Sequence, residues 1–185
     1  MYRAVGWLAM QQGVELDADA EVAALAASAA FELDGGRVTI DGHDVTSAIR
    51  TADIDQAAAR VAHLPGVRRV LLARQRAYAA SGAVVMEGRD IGTVVLPDAD
   101  VKFFLDASAD ERARRRATDS AHTSGGSDVG IVAQALHTRD ELDRTRTASP
   151  LARAADAVYL DTTHLPAEHV VAQVLAEIAA RRARL

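Results

Sequence analysis

The chain opens on a helical period. In MYRAVGWLAMQQG, Ala4, Val5, Leu8 and Ala9 recur on one helix face, with no capping residue ahead of Met1. DADAEVAALAASAAF continues in the same period and carries Asp17 and Asp19 at its start, where a helix N-terminus favours acids. Then the period shortens. FELDGGRVTIDGHDV holds two alternating runs around Asp34-Gly35-Gly36, with a second Asp-Gly at 41–42. That pattern predicts a small hairpin or three-stranded insert within residues 31–50. Thr51 is placed to cap the next helix, TADIDQAAARVAHL. Pro65 suits the first turn of another, with Gly82 as its stop.

Beyond Gly82 apolar runs and helical stretches alternate. VVMEGRDIGTVVLPDADVKFFLDAS, residues 84–108, is two apolar strand-like runs with Gly-Arg-Asp between them. Core strands are predicted at 83–87 and 101–106. Ser108-Ala-Asp-Glu111 has the spacing of a capping box opening a helix. Residues 118–130 are small, polar and glycine-rich, the composition of a lid tip inside a broader lid at 112–135. A helix is predicted over roughly 131–147, a third core strand over 157–162, and an amphipathic C-terminal helix from Pro166. Strands alternating with helices predict an α/β fold with a parallel sheet, here as a single domain over 1–185.

Composition narrows the class. With 185 residues, 49% apolar and 25% charged, the chain has the profile of one globular domain. A net charge of −5 disfavours generic nucleic-acid binding. The absence of cysteine removes disulfides, cysteine zinc sites and thiol nucleophiles. No stretch has the length of a membrane helix and no signal peptide opens the chain, so a cytoplasmic protein is expected. Of 21 basic residues only Lys102 is a lysine, so any lysine chemistry falls to a residue inside the apolar run VKFFL.

The arginines carry the candidate chemistry. Arg139, Asp143 and Arg146 fall at i, i+4 and i+7, one face of one helix; Arg112, Arg115 and Arg116 share a face of the helix capped by Ser108. Arg89 and Asp90 follow the strand predicted at 83–87, and ligands of open α/β sheets collect at the carboxyl ends of strands. Each set taken alone reads as a solvated, salt-bridged surface or a plain turn. Converging on one crevice, the arginines repel one another, and a phosphorylated ligand resolves that, since guanidinium grips phosphate by a bidentate charged fork.

At these residues the sequence resembles the bacterial cytidylate (CMP) kinases, over essentially its whole length. The matching segments are MYRAV, RVTIDGHDVTSAIRT, LPGVRRVLLARQR, EGRDIGTVVLPDADVKFFLDAS, ERARRR, RDELDRTRTASPL and AADAVYLDT, in order and spacing. The resemblance implies a P-loop nucleoside monophosphate kinase-like fold: a parallel sheet with flanking helices and a small β insert. It implies a monomeric enzyme transferring the γ-phosphate of ATP, with Mg²⁺, to CMP or dCMP. Tyr2, Arg3, Arg89 and Arg146 match positions that hold the monophosphate. Arg68 and Asp90 match those that read the cytosine ring, and Arg139 and Asp143 those that contact the sugar. Arg112, Arg115 and Arg116 match the lid side, where arginines neutralise the transferring phosphoryl group; one such arginine is worth roughly 10³–10⁵ in rate. No protein metal ligand is implied among the residues present.

The chain also departs from the pattern. Ala59 stands where the family has a hydroxyl that helps read the pyrimidine, a loss of about 1 kcal/mol per neutral hydrogen bond. Leu142 replaces a residue usually charged, and the lid tip is short of basic residues. The family's G-x-x-x-x-G-K-[ST] loop, whose backbone N–H groups cradle ATP phosphates, has no counterpart in these 185 residues. The expectation is therefore a fold truncated at its N-terminus, with 83–87 separated from 101–106 by a strand-wide gap and poor stability or ATP incompetence as the result. Non-catalytic nucleotide binding, or a kinase acting on UMP or another small substrate, are the competing readings.

Overall fold

The computed structural model describes residues 1–119, 129–130, 132–134, 136–138 and 151–183, and these form two compact units. The first comprises Met1–Val85 and Arg116–Asp128; the second comprises Met86–Arg115 and Val129–Leu185.

In the first unit, helices α1 (Tyr2–Gln11), α2 (Asp19–Ser28), α3 (Ala52–His63) and α4 (Pro65–Ala80) pack in pairs, α1 on α3 and α2 on α4. The α1–α3 crossing is tight because small residues meet there. A Cβ built on Gly6 would stand 3.1 Å from Ala57 Cβ, so any larger residue at 6 would push the helices apart. Met1 offers no side-chain cap to α1, as its sequence implies. Thr51 caps α3 by accepting from Ile54 N at 3.3 Å, and Pro65 occupies the first turn of α4.

Between α2 and α3 lies the expected insert, a three-stranded antiparallel sheet of β1 (Phe31–Asp34), β2 (Arg37–Ile40) and β3 (His43–Asp44). Asp34 pairs with Arg37, so Gly35 and Gly36 form a two-residue turn, and both have positive φ, 52° and 87°. Glycine is the residue that enters that region without steric cost. The insert buries Ile40 and, just beyond β3, Val45 against Ala4 and Leu8 of α1 and Ile54 of α3. A second cluster joins Val5, Val22, Ala26, Val61, Val67 and Leu71.

Asp19 has a role the sequence did not signal. Its carboxylate accepts from Gly66 N at 2.9 Å and Val67 N at 3.3 Å, so it caps α4 rather than α2, whose N-cap is Ala18. A Cβ on Gly66 would lie 2.7 Å from Asp19 Oδ1, which is why glycine suits that position.

The second unit contains a two-stranded parallel sheet, β4 (Phe103–Asp106) beside β5 (Val158–Asp161), with Phe103 opposite Val158 and Asp106 opposite Asp161. Helix α5 starts at Ala109 and runs to Thr118; helix α6 is Ala167–Arg182 and follows Pro166 as expected. Of the capping box only one arm forms: Ser108 Oγ accepts from Glu111 N at 3.3 Å, while Ser108 N donates to Thr163 Oγ1 and the Glu111 carboxylate turns to Arg114 and Arg115. Among the described residues no helix is long and apolar enough to cross a membrane.

Two sequence expectations are corrected here. Residues 83–87 form no strand, and Val85 is fully exposed. The apolar run after Gly-Arg-Asp is not extended either: Ile91–Val95 is one π-helical turn, closed by Val95 N to Asp90 O at 3.2 Å and Leu96 N to Ile91 O at 2.7 Å. The physical reason is that β-branched residues favour a strand only when a neighbouring strand takes their backbone groups and a packed face takes their side chains. The observed parallel pairing is between β4 and β5, and each is shorter than its apolar run. The predicted lid tip, the latter half of the predicted 131–147 helix and Leu142 fall largely or wholly outside the described residues.

Candidate functional site

Four of the arginine-and-tyrosine candidates belong to the first unit. Tyr2 and Arg3 stand in the first turn of α1 and Arg68 in the first turn of α4. The Arg68 guanidinium carbon lies 5.9 Å from the Tyr2 ring centre, over its face, while its Nη1 donates to Ala62 O at 3.3 Å. A cation over an aromatic ring at this range is held by the ring quadrupole, which fixes both side chains. Arg3 is fixed from two sides. Nη1 donates to Ile49 O at 2.7 Å, and Nη2 lies 2.5 Å from Asp55 Oδ1. Arg116 also meets Asp55, through Nη2 to Oδ2. The unit therefore brings together Tyr2 with Arg68, and Arg3 with Arg116. Ala59 is half-buried on α3.

The remaining described candidates belong to the second unit. Arg89 is half-buried and Asp90 is buried at 8% exposure. Their expected setting at the carboxyl end of a strand is not found, because no strand precedes them. Asp90 instead leads into the π-helical turn, its carbonyl accepting from Val94 N at 2.9 Å. Gly88 has a clear steric reason to be glycine, since a Cβ there would meet Ile91 Cγ1 at 2.8 Å. Arg112 donates from Nε to Ala107 O at 3.2 Å. Arg115 ties α5 to the end of β5: Nη1 donates to Thr162 Oγ1 at 3.0 Å, Nη2 to Thr162 O at 2.5 Å, and Nε to Glu111 Oε1 at 2.7 Å. Arg139, Asp143 and Arg146 lie outside the described residues.

Electrostatics set the acids apart. Hydrogen bonds from Arg114 and Arg115 hold the Glu111 carboxyl down to about 2. The single lysine is engaged as well. Lys102 stands just before β4, not inside it, and its Nζ bonds Pro97 O and lies 2.8 Å from Asp156 Oδ2. That hydrogen bond holds the Asp156 carboxyl below its ordinary range. Among the described residues no group of three or more His, Cys, Asp or Glu side chains is arranged to hold a metal ion. The residues present do not fit the phosphate end of ATP with Mg²⁺: no G-x-x-x-x-G-K-[ST] motif occurs in the sequence, and its lysine is committed to Pro97 and Asp156.

Asp55 and Asp156 were missed in the sequence. Asp55 reads as one more acid in the first turn of α3, beside Asp53, and its partners lie 52 residues upstream at Arg3 and 61 residues downstream at Arg116. No local spacing reveals such a pair.

Comparison with known proteins agrees over nearly the whole chain. The family model described as cytidylate kinase matches residues 1–180. A cytidylate kinase of Limosilactobacillus fermentum is 46% identical over 182 residues, covering 96% of this chain and 80% of the relative. One from Solibacter usitatus is 44% identical, covering 98% and 79%, and one from Pelotomaculum thermopropionicum 45% identical, covering 98% and 83%.

Proposed function

The chain belongs to the cytidylate kinase family of nucleoside monophosphate kinases, and on that premise we propose that its 185 residues carry the (d)CMP-binding side of the reaction without transferring the phosphoryl group by themselves. The family's reaction takes the γ-phosphate from ATP, with Mg²⁺, to CMP or dCMP. In this reading Tyr2, Arg3, Arg89 and Arg146 take the monophosphate, Arg68 and Asp90 the cytosine, and Arg139 and Asp143 the sugar. Arg112, Arg115 and Arg116 serve the transferring group.

The observation that carries the reading is the pairing in the first unit. Arg68 stacks on Tyr2 while the adjacent Arg3 converges with Arg116 on one carboxylate. A stacked cation suits the edge of a pyrimidine, and two convergent guanidiniums suit a phosphate. Transfer is a different matter. Phosphoryl transfer depends on fixed backbone donors and a lysine around the β- and γ-phosphates. Arginine side chains do not replace those donors.

An ADP-release assay tests the proposal. The 185-residue chain is assayed with CMP and ATP beside a version extended at its N-terminus by a strand and a G-x-x-x-x-G-K-[ST] loop. The extended version turns over and the shorter one does not. Equal rates for the two would overturn the proposal and require another ATP site.

A further inference from the structure

Arg3 and Arg116 are far apart in sequence, yet both guanidiniums reach the carboxylate of Asp55. The three side chains are mostly enclosed, at 29%, 24% and 22% exposure for Arg3, Arg116 and Asp55. Charges so enclosed are weakly screened, so two neighbouring cations repel and one anion between them matters. Asp55 supplies that anion and leaves the trio with a net charge of +1. Its two oxygens are divided between the arginines: Oδ2 accepts from Arg116 Nη2, and Oδ1 lies at ion-pair distance from Arg3 Nη2.

We infer that Asp55 is a specificity-determining residue whose carboxylate stands in for the substrate's phosphate between Arg3 and Arg116, and must be displaced by it. This rests on the reading that Arg3 takes the monophosphate and Arg116 the phosphoryl group that approaches it. Displacement is a charge exchange. A monoanion replacing a monoanion gains nothing in Coulomb energy, whereas a dianion gains an extra charge against two cations. A phosphate monoester is dianionic above its second pKa, about 6, and a diester is never more than monoanionic. The trio therefore selects monoesters against diesters. Arg3 keeps its Nη1 bond to Ile49 O during the exchange, so its guanidinium stays anchored as Nη2 changes partner.

The test uses methyl phosphate, dimethyl phosphate and CMP, titrated at about pH 8, where the monoester is dianionic, into the wild type, Asp55→Asn and Asp55→Ser. The wild type binds methyl phosphate and discriminates against dimethyl phosphate. Asp55→Asn and Asp55→Ser bind methyl phosphate about tenfold more tightly, and dimethyl phosphate, which then has no anion to displace, tightens by a similar factor. Arg3→Ala added to Asp55→Asn removes the gain. In the wild type the Asp55 carboxyl ¹³C resonance shifts as methyl phosphate saturates, a readout that needs no variant to fold. Unchanged or weaker methyl phosphate binding in folded variants overturns the inference, as does a wild-type resonance that stays put or the absence of binding altogether. The two readings fail separately. If CMP does not compete with methyl phosphate while the Asp55 variants still bind it more tightly, the CMP reading falls and the role of Asp55 stands. If CMP binds and the variants change nothing, Asp55 loses its role and the CMP reading remains.

Discussion

The two units bury apolar surface to very different degrees. In the first, Val5, Val22, Ile40, Val45, Val61, Val67 and Leu71 are fully buried and form two clusters linking helices α1–α4 and the insert. In the second, the buried apolar side chains among the described residues are Val95, Ala113 and Val132. Leu105 of β4 is 55% exposed, and Val171 and Leu175 of α6 are 55% and 60% exposed. No residue of α6 is buried. Among the described residues the second unit is tied together largely by polar contacts: Arg115 on Thr162 and Glu111, Tyr159 Oη on Asp106 Oδ2, and Lys102 on Asp156. Burial scales with apolar area removed from water, whereas exposed ion pairs contribute little, so the first unit has the means to stand on its packing and the second has less.

The largest expected effect probes that contrast head on. Leu71→Ala removes a fully buried side chain and destabilises the first unit by about 2–5 kcal/mol. Leu175→Ala, at an exposed site, changes stability by less than about 0.5 kcal/mol. Trp7, the only tryptophan, packs on the first cluster, so its fluorescence in a urea titration follows the first unit, while far-UV circular dichroism in the same titration follows the helices of both units, α6 included. Equal effects of the two substitutions would erase the distinction. Next comes the α4 cap. Asp19→Ala leaves the backbone N–H groups of Gly66 and Val67 without their acceptor and costs about 1 kcal/mol on the same signal.

The second unit is the one to probe with acid. Glu111 is depressed from an ordinary 4.5 to about 2 in the folded chain, so its stabilisation is present above pH 4.5 and is lost as pH falls through about 2. The stability difference between the wild type and Glu111→Gln should be constant above pH 4.5 and vanish near pH 2. A difference that grew on acidification would have the wrong sign. The smallest effect belongs to the insert's surface pair, Arg37 with Asp44, at 66% and 51% exposure. Arg37→Ala should cost no more than about 1 kcal/mol and less in high salt.

What was legible in the sequence follows the same division. Thr51, Pro65, Asp34-Gly35-Gly36 and the 3.6-residue period act locally, and each marks an element boundary that the structure contains. Residues 83–87 and 91–95 misled because a β-branched run has strand propensity wherever it occurs, while a strand exists only with a partner. Asp19 reads as an acid for its own helix, yet its acceptors serve a helix that starts 46 residues later. Asp55 looks like one more first-turn acid until Arg3 and Arg116 arrive from opposite ends of the chain. Of the candidate site, Tyr2, Arg3 and Arg68 were named from family resemblance alone, and the stacking of Arg68 on Tyr2 and the pairing of Arg3 with Asp55 came from tertiary structure.

Calorimetric titration of the 185-residue chain with CMP, against cytidine as the control lacking phosphate, tests the central claim most directly. The account predicts saturable CMP binding, with cytidine at least about tenfold weaker because charged hydrogen bonds to phosphate are lost, and with CMP binding weakened by Arg3→Ala. Absence of CMP binding by the folded chain, or equal affinities for CMP and cytidine, would contradict it.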